Sequence, residues 1–192
     1  KRIVIRKGLK WSFPLTIKII INNMSCSPFS IYTTPCRTMG GIQKFYVGTF
    51  NDSALIMGAT ADGSITSFSG ATVSFFGVEQ RIEEGSVVEA GAGAGGNFNV
   101  TQTLEIRFNS ITQAIQNQLA ILGKGRWRVM FKDVQGNYFL VGKTRGVEVT
   151  ATTGGSGKAS GDTPGHTVTM VAKEPDYIVA VSSAAALSVI QE

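Results

Sequence analysis

The sequence has few of the residues that carry most enzyme chemistry. Its 192 residues include one histidine, His166, and two cysteines, Cys26 and Cys36. A structural zinc site takes about four cysteine or histidine ligands, and acyl transfer takes a nucleophile, a base and a group that orients the base. Two cysteines also do not make a disulfide scaffold. We therefore predict that the protein is not an enzyme, with no catalytic residue, no metal and no cofactor, and that His166 is structural.

Charged residues are also scarce, at 16% of the chain, against about a quarter in an average protein. The formal net charge of +5 arises in residues 1–23, which carry six bases and no acid. The other 169 residues carry 12 bases and 13 acids, for a net charge of −1. Basicity confined to one end does not indicate a nucleic-acid-binding domain. Low charge together with 23 glycines favours strands joined by turns, with surface hidden between subunits.

Long hydrophobic runs are missing as well. The apolar stretch near the N-terminus is interrupted by Pro14 and Lys18, and no small-residue cleavage site follows Ile21. It therefore fits neither a membrane-spanning helix nor a secretory signal. We interpret residues 1–23 as a basic arm, which is either a real strand-pairing arm or sequence upstream of a natural start at Met24. Residues 24–192 are predicted to form a single β domain.

Alternation of apolar and polar residues with period two is the dominant pattern of the chain. In residues 42–51, Phe45 and Val47 face one way and Tyr46 the other, and in residues 98–108 an apolar face ends with Leu104, Ile106 and Phe108. Such alternation is typical of β-strands. Further strands are predicted in residues 54–60, 64–70, 72–80, 81–90, 126–133, 137–142, 146–152, 166–174 and 177–190. The pattern predicts a mainly β fold.

One segment has the period of a helix instead. Its apolar residues, at i, i+4, i+8 and i+11, are Ile111, Ile115, Leu119 and Leu122. This stripe predicts one amphipathic α-helix. Asn109 or Ser110 suits its N-cap, and Gly123 suits a left-handed end. The outward side chains in residues 113–118 are uncharged amides, which favours a face that meets a neighbouring subunit.

Two glycine-rich stretches, Gly91–Gly96 and Gly154–Gly165, offer few side chains for packing. The first lacks the lysine, the hydroxyl residue and the following helix of a phosphate-binding loop. We predict that Gly91–Gly96 is a flexible hairpin tip or a loop that contacts a neighbouring subunit, and that Gly154–Gly165 is a loop with such contacts. The Glu83–Glu105 hairpin is predicted to pair with a strand of a neighbour. The candidate assembly residues are Gly91, Gly93, Gly95, Gly96, Gly154, Gly155, Ser156, Gly157, Lys158, Gly161 and Asp162.

Two groups of charged residues have a structural interpretation. Glu83 and Glu84, if they lie on a strand, point to opposite faces and cannot act as an acid–base pair. Arg126, Arg128 and Lys132 fall on one face of a predicted strand, opposite Trp127. Cations near an aromatic residue can bind nucleic acid. The preferred interpretation is a core tryptophan with a basic outer or lumenal face.

Three patches of the sequence, taken in order, carry a resemblance to a known family. They are Gly40–Val47 with Phe50–Asp52, the helix followed by Gly125–Asp133, and Val134–Gly142 continuing through Arg145-Gly146, Thr150, Gly154–Gly157 and Gly161-Asp162 to Glu174-Pro175. Over roughly residues 39–175 the chain resembles tail-tube-like structural proteins of phages that infect Bacteroidetes, including crAss-like phages. After the Gly-Asp pair, however, the family has Asn-Gly-Tyr and this chain has Thr163–His166, which would also fit a specialised ring or terminator.

The resemblance implies a tail-tube-like β-barrel, or two packed antiparallel sheets, with one flanking helix. It implies a virion protein of the tail, assembled in the cytoplasm of the bacterial host into hexameric rings that stack into a tube. The implied partners are other copies of the chain, other tail or neck proteins, and phage DNA that passes without specific binding; membrane insertion is not expected. Two alternatives stay open. One is a neck, ring or head-decoration protein, and the other is a carbohydrate-binding surface module.

Overall fold

The computed structural model describes residues 40–50, 55–70, 74–81, 83–94, 96–159 and 161–191. These residues all belong to one compact unit. The basic arm, the proposed start at Met24, both cysteines and Gly95 lie outside the described residues. The predicted mainly β fold is confirmed, with 56% of the described residues in strands and 12% in helices.

The described residues form twelve strands and two helices. The strands are β1 Ile42–Thr49, β2 Leu55–Ala59, β3 Ile65–Gly70, β4 Phe75–Glu79, β5 Ser86–Ala94, β6 Asn97–Phe108, β7 Arg126–Asp133, β8 Tyr138–Val141, β9 Val147–Gly155, β10 Gly165–Glu174, β11 Val179–Val181 and β12 Ile190–Gln191. Helix α1 (Gln113–Leu122) lies between β6 and β7, and helix α2 (Ser183–Val189) lies between β11 and β12.

Helix α2 corrects the prediction of a single helix, because residues 177–190 were predicted to be strand throughout. Ser182 begins the helix with its hydroxyl, which accepts a hydrogen bond from the Ala185 amide at 3.3 Å. Alanine has the highest helix propensity of all residues, and Ala185 and Ala186 are buried. A capped alanine run therefore forms a helix within a segment that otherwise resembles a strand.

The sheet divides at β7. One edge of β7 pairs with β1, whereas the other edge is shared by β8 and by the first residues of β9. One arm continues from β8 through β11 and β3 to β2, and the other from β9 through β10 and β6 to β5. On the far side of β1, β4 pairs with both β1 and β12. The strands form one sheet that is not closed into a barrel, so the barrel alternative is wrong for the single chain as described.

Two hydrophobic clusters lie on opposite faces of β1 and β7. The first includes Phe45 and Val129 together with Leu104 of β6. The second includes Tyr46 and Met130 together with residues of β3, β4, β8 and α2. Because successive side chains of a strand point to opposite faces, one alternating strand supplies both clusters. The faces predicted for Phe45, Tyr46 and Leu104 are thus confirmed.

Helix α1 covers one side of the first cluster. Ile115, Leu119 and Leu122 pack against the cluster, as their spacing predicts. The helix end is fixed by the Trp127 indole, whose Nε1 donates a hydrogen bond to the Leu122 carbonyl oxygen at 2.8 Å. Ile111 lies before the helix and is exposed, so it is not part of the packed stripe.

Both predicted ends of α1 need correction. The N-cap is Thr112, whose hydroxyl accepts a hydrogen bond from the Ile115 amide at 3.3 Å. Asn109 is engaged elsewhere, since its amide group donates to Glu84. Gly123 has right-handed helical geometry, with φ −68°, so the predicted left-handed end is wrong. The helix thus begins later than predicted.

Candidate assembly surface

The arm built from β9, β10, β6 and β5, in that order, is an antiparallel four-stranded sheet. Within the described residues, β5 pairs only with β6. Strand β9 pairs with β7 only through Val147 and Glu148. The outer edges of Ser86–Ala94 and of residues 149–155 therefore have no strand partner among the described residues. One sheet arm thus ends in two strand edges.

Both edges have little of the usual protection against strand addition, apart from a bulge in β9 between Val149 and Ala151. Natural edge strands commonly carry lysine, proline or a short length that blocks pairing with another chain. Strand β5 is nine residues long and its one charged residue, Glu89, accepts a hydrogen bond from the Ile178 amide of its own chain at 2.5 Å. Beyond Glu148, β9 carries no charge and its last six residues are exposed. Both edges can therefore accept another strand.

The outer face of this arm is rich in threonine. The opposite face of β6 and β10 supplies Leu104, Ile106 and Met170 to the first cluster. The threonines that alternate with these core residues are Thr101, Thr103, Thr167 and Thr169, all partly exposed. The same face also carries Glu105, Arg107 and Lys173, so it presents both hydroxyl groups and charges.

The first predicted contact loop is part of a strand. Gly91 pairs with Val100 and Gly93 pairs with Phe98, so the stretch that includes both glycines belongs to β5. Gly96 lies in the tight turn to β6 with φ +86°, a conformation that glycine adopts without steric cost. The prediction of a flexible loop over Gly91–Gly96 is therefore wrong for its described residues, because β6 supplies the hydrogen bonds that a free glycine run would lack.

Packing within the chain requires a residue without a side chain at Gly91. A Cβ atom at this position would lie 2.7 Å from the Tyr177 hydroxyl oxygen and 2.8 Å from Cζ of Phe98. The two rings pack against each other with centroids 5.7 Å apart. At Gly93 an added Cβ would make only ordinary contacts of 3.4 Å. Of the two, only Gly91 is required by intramolecular packing.

Gly154 and Gly155 are also strand residues, at the end of β9. A Cβ atom on Gly154 would lie 2.0 Å from Nδ1 of His166, whereas one on Gly155 would meet nothing within 4 Å. His166 itself lies in β10 and is partly buried. Its Nε2 atom is buried and makes no hydrogen bond with the described residues. Gly154 therefore makes room for the imidazole, and Gly155 faces open space.

The loop that follows β9 is ordered by its own aspartate. One carboxylate oxygen of Asp162 accepts hydrogen bonds from the amides of Lys158 at 2.7 Å and Ala159 at 2.9 Å. These bonds, the Ala159 one first, lower the pKa of Asp162. Gly157 has φ +79° and lies against the Asp162 Cβ. The loop thus holds its shape without a partner, and it leaves Ser156, Lys158 and Gly161 exposed.

Two buried polar residues that the sequence analysis did not single out position the β8–β9 connection. Glu174 accepts hydrogen bonds from the Thr144 amide at 3.1 Å and the Arg145 amide at 2.7 Å. Gln102 accepts one from the Gly142 amide at 3.2 Å and donates one to the Asp176 carbonyl oxygen at 3.2 Å. A signal for Gln102 was present, because it is a polar residue at a core-facing position of an alternating strand.

The basic residues of β7 do not form one surface. Arg126, Arg128 and Lys132 lie on the face opposite Trp127, as predicted. Arg128, however, is 3% exposed, with its guanidinium 4.5 Å from the Phe50 ring centroid. Lys132 lies further along the strand, 5.7 Å from the Tyr138 ring centroid. The predicted basic outer or lumenal face is therefore reduced to Arg126 at one end.

The acidic pair also lies differently from the prediction. Glu83 and Glu84 form a turn before β5, and Glu83 has φ +71°. Glu84 contacts Arg107, with Nε and Oε1 3.7 Å apart. Within the described ranges, no three His, Cys, Asp or Glu side chains could hold a metal ion together. Neither described helix is long and apolar enough to cross a bilayer.

Comparison of the chain with protein-family models, with curated proteins and with solved structures finds no match. The resemblance to tail-tube-like proteins and the virion role that it implies therefore stay predictions.

Proposed function

We propose that this chain is a structural subunit of a phage tail, a tube or tube-like ring protein whose copies join through the edges of the four-stranded arm. The observation that carries the proposal is the presence of two long strand edges with few charges, on β5 and on β9, at opposite ends of the same sheet arm. A long exposed edge without charges is a site for pairing with another chain.

The strand directions support joining of identical copies in a ring. An antiparallel arm of four strands has an even number of members, so β5 and β9 run in opposite directions. A second copy related by rotation about an axis roughly along the strands then brings its β9 antiparallel to β5 of the first. Such a head-to-tail interface closes into a ring when the rotation closes, and every edge of this kind is then paired.

The offset between the two edges also suits a closed ring. Val88, Thr103, Val171 and Glu148 are paired in a row across the arm. The free part of β9 extends from this row in one direction, whereas most of β5 extends in the other. Pairing the two edges therefore staggers successive copies along the strands. Closed barrels need this stagger, because their strands tilt by about 35–45° from the barrel axis.

The threonine-rich outer face agrees with a channel through which DNA passes. Affinity for nucleic acid comes mainly from cations that neutralise phosphates. On this face of β6 and β10, Arg107 contacts Glu84 and Lys173 is the other cation, so most of the face offers no such contact. We infer that this face lines the channel and that the two helices lie away from it.

Electron microscopy of the purified protein tests the proposal. The wild-type chain should form rings or tubes in negative stain. The double variant Ala90→Lys/Ala92→Lys adds two cations to exposed residues of β5 and should abolish them, because charged edges resist strand addition. The control, Ala184→Lys/Leu187→Lys, adds the same charge to exposed positions of α2 and should assemble normally. Wild-type-like assembly of the β5 variant would contradict the proposed interface.

The same images separate a tube subunit from a neck or ring protein. Long tubes from the wild-type chain would favour the tube, and discrete rings that do not stack would favour the neck, ring or terminator role. The departure from the family pattern at Thr163–His166 keeps this second role open, since it lies where the exposed loop enters β10, which begins at Gly165.

A further inference from the structure

Three cations from three elements line one cleft of about 410 Å³. Arg126 comes from the start of β7, Arg145 from the β8–β9 connection and Lys173 from the end of β10. The one acidic residue of the lining is Glu148, and Thr150 contributes a neutral wall. The described residues carry equal numbers of acidic and basic side chains, so an excess of two positive charges in one cleft is a local concentration.

The position of Arg145 is fixed by the buried carboxylate beneath it. Its backbone amide donates to Glu174 at 2.7 Å, and the adjacent amide of Thr144 donates to the same carboxylate. Its guanidinium Nη1 donates to the Lys173 carbonyl oxygen at 3.4 Å. The connection is therefore held against β10 before any ligand arrives, which lowers the entropy cost of binding.

Arg126 is held by contacts on two sides. Its guanidinium lies 5.6 Å from the Phe50 ring centroid, and its Nε donates to Glu148 at 3.2 Å. Gly146, with φ +78°, allows the side chain to lie against the loop, because a Cβ there would be 2.7 Å from Cγ of Arg126. Both members of the Arg126–Glu148 pair are exposed, and such surface pairs are weak, so Glu148 does not prevent Arg126 from binding an anion.

We propose that this cleft binds the phosphate groups of a nucleic-acid backbone. A guanidinium can donate two parallel hydrogen bonds to a phosphate, and a lysine ammonium adds a point charge. Among the described residues, no element projects from the cleft to reach the edges of bases. Binding is therefore independent of base sequence. A site of this kind makes few contacts, so its affinity is low and falls with salt by about 0.9 log units per contact for each tenfold rise in salt.

The proposal goes beyond the structural role and does not depend on it. The cleft lies within one chain, on the same outer side of the arm as Thr150 and Lys173. In a ring it would face the channel as a small basic site on a surface of hydroxyl groups. Brief, salt-sensitive contacts at such a site would guide a passing duplex without holding it.

Binding of a short fluorescent DNA duplex, followed by anisotropy over a series of salt concentrations, tests the cleft. The full chain is compared with the double variant Arg145→Gln/Lys173→Gln. The matched control, Arg81→Gln/Lys124→Gln, removes two exposed cations that lie outside the cleft. The basic N-terminal arm is the same in all three proteins. The negative slope of log affinity against log salt concentration should become shallower by about 1.8 in the cleft variant, at about 0.9 for each lost phosphate contact.

Three results would overturn the proposal. The first is an unchanged slope in the cleft variant, and the second is an equal decrease in the control, which would indicate net charge alone. The third is displacement of the duplex by inorganic phosphate at matched ionic strength, which would assign the cleft to free phosphate. Urea unfolding confirms that each variant is folded. Electron microscopy of the same samples keeps the outcome separate from the ring proposal, since the cleft variant should still assemble.

Discussion

Neighbouring glycines of one strand can differ in whether packing requires them, as two glycines of β9 show. Gly154 faces the His166 ring, whereas Gly155 faces open space. We expect Gly154→Ala to lower the free energy of unfolding by about 1–3 kcal/mol, because the methyl group would force the partly buried imidazole aside. Gly155→Ala should be neutral or stabilise by about 0.5 kcal/mol, since it restricts the unfolded chain without a clash.

Urea unfolding of the two variants measures this difference. Equal stabilities would contradict the packing of His166 against Gly154. The comparison also bears on assembly, because Gly155→Ala leaves the subunit intact and any loss of rings in that variant would then be due to the interface.

The residues of the β2–β3 turn predict a local dependence on pH. The Asp62 carboxylate accepts hydrogen bonds from the Thr60 hydroxyl and from the amide and hydroxyl of Ser64. These bonds, the Thr60 hydroxyl first, lower the pKa of Asp62 from 3.8 to about 2. Because the pKa in the folded state is the lower one, the turn is stabilised above the unfolded value and loses that contribution as the pH falls toward about 2.

A carbon-detected NMR titration of Asp62 measures its pKa directly. The Thr60→Val variant removes the hydroxyl that contributes most and should raise the pKa toward its ordinary value. A pKa of Asp62 near 4 in the wild-type chain would contradict the hydrogen bonds of this turn.

At the scale of elements, two residues near the start of α1 are candidates for its N-cap. Thr112 accepts the Ile115 amide, whereas Ser110 lies two residues before it. We expect Thr112→Ala to destabilise the protein by about 1 kcal/mol, the usual cost of a lost N-cap. Ser110→Ala should have almost no effect. Thermal or urea unfolding of both variants distinguishes the caps, and a larger loss for Ser110→Ala would show that the helix begins earlier.

Period two identified most strands, because each strand of a folded sheet has one face in a cluster, as Phe45 and Leu104 do. The pattern failed where pairing with a neighbouring strand, rather than the segment's own sequence, decides the secondary structure. Gly91–Ala94 has no strand propensity of its own, yet it pairs with β6. The alanines of α2 have little periodic contrast between strand and helix, so the Ser182 cap was the only local signal for the helix.

At the scale of the whole molecule, the candidate surface was only partly visible in the sequence. The Glu83–Glu105 hairpin was predicted to pair with a strand of a neighbour, whereas residues 146–152 were predicted as a strand with no edge role and Gly154–Gly165 as a contact loop. Which strand lies at an edge follows from the order of pairing, and the division of the sheet at β7 sets that order. The basic cleft likewise joins Arg126, Arg145 and Lys173, which are distant in sequence.

A head-to-tail interface makes a prediction that a symmetric interface does not. A β5-edge variant, Ala90→Lys/Ala92→Lys, retains a normal β9 edge, and a β9-edge variant, Ala151→Lys/Thr153→Lys, retains a normal β5 edge. All four residues are exposed and lie on the outer face of the arm. Each variant alone should stay monomeric, because every interface that it could form includes one charged edge.

Mixed in equal amounts, the two variants should form a dimer that cannot grow, since the one pair of normal edges is then used up and a charged edge is left at each end. Analytical ultracentrifugation measures this directly, with each variant alone and the wild-type chain as references. Larger assemblies in the mixture would show that the lysines do not block the edges. A mixture that stays monomeric would show that β5 and β9 do not pair with each other. A dimer formed by one variant alone would instead indicate like-for-like edge pairing, because each variant retains one normal edge.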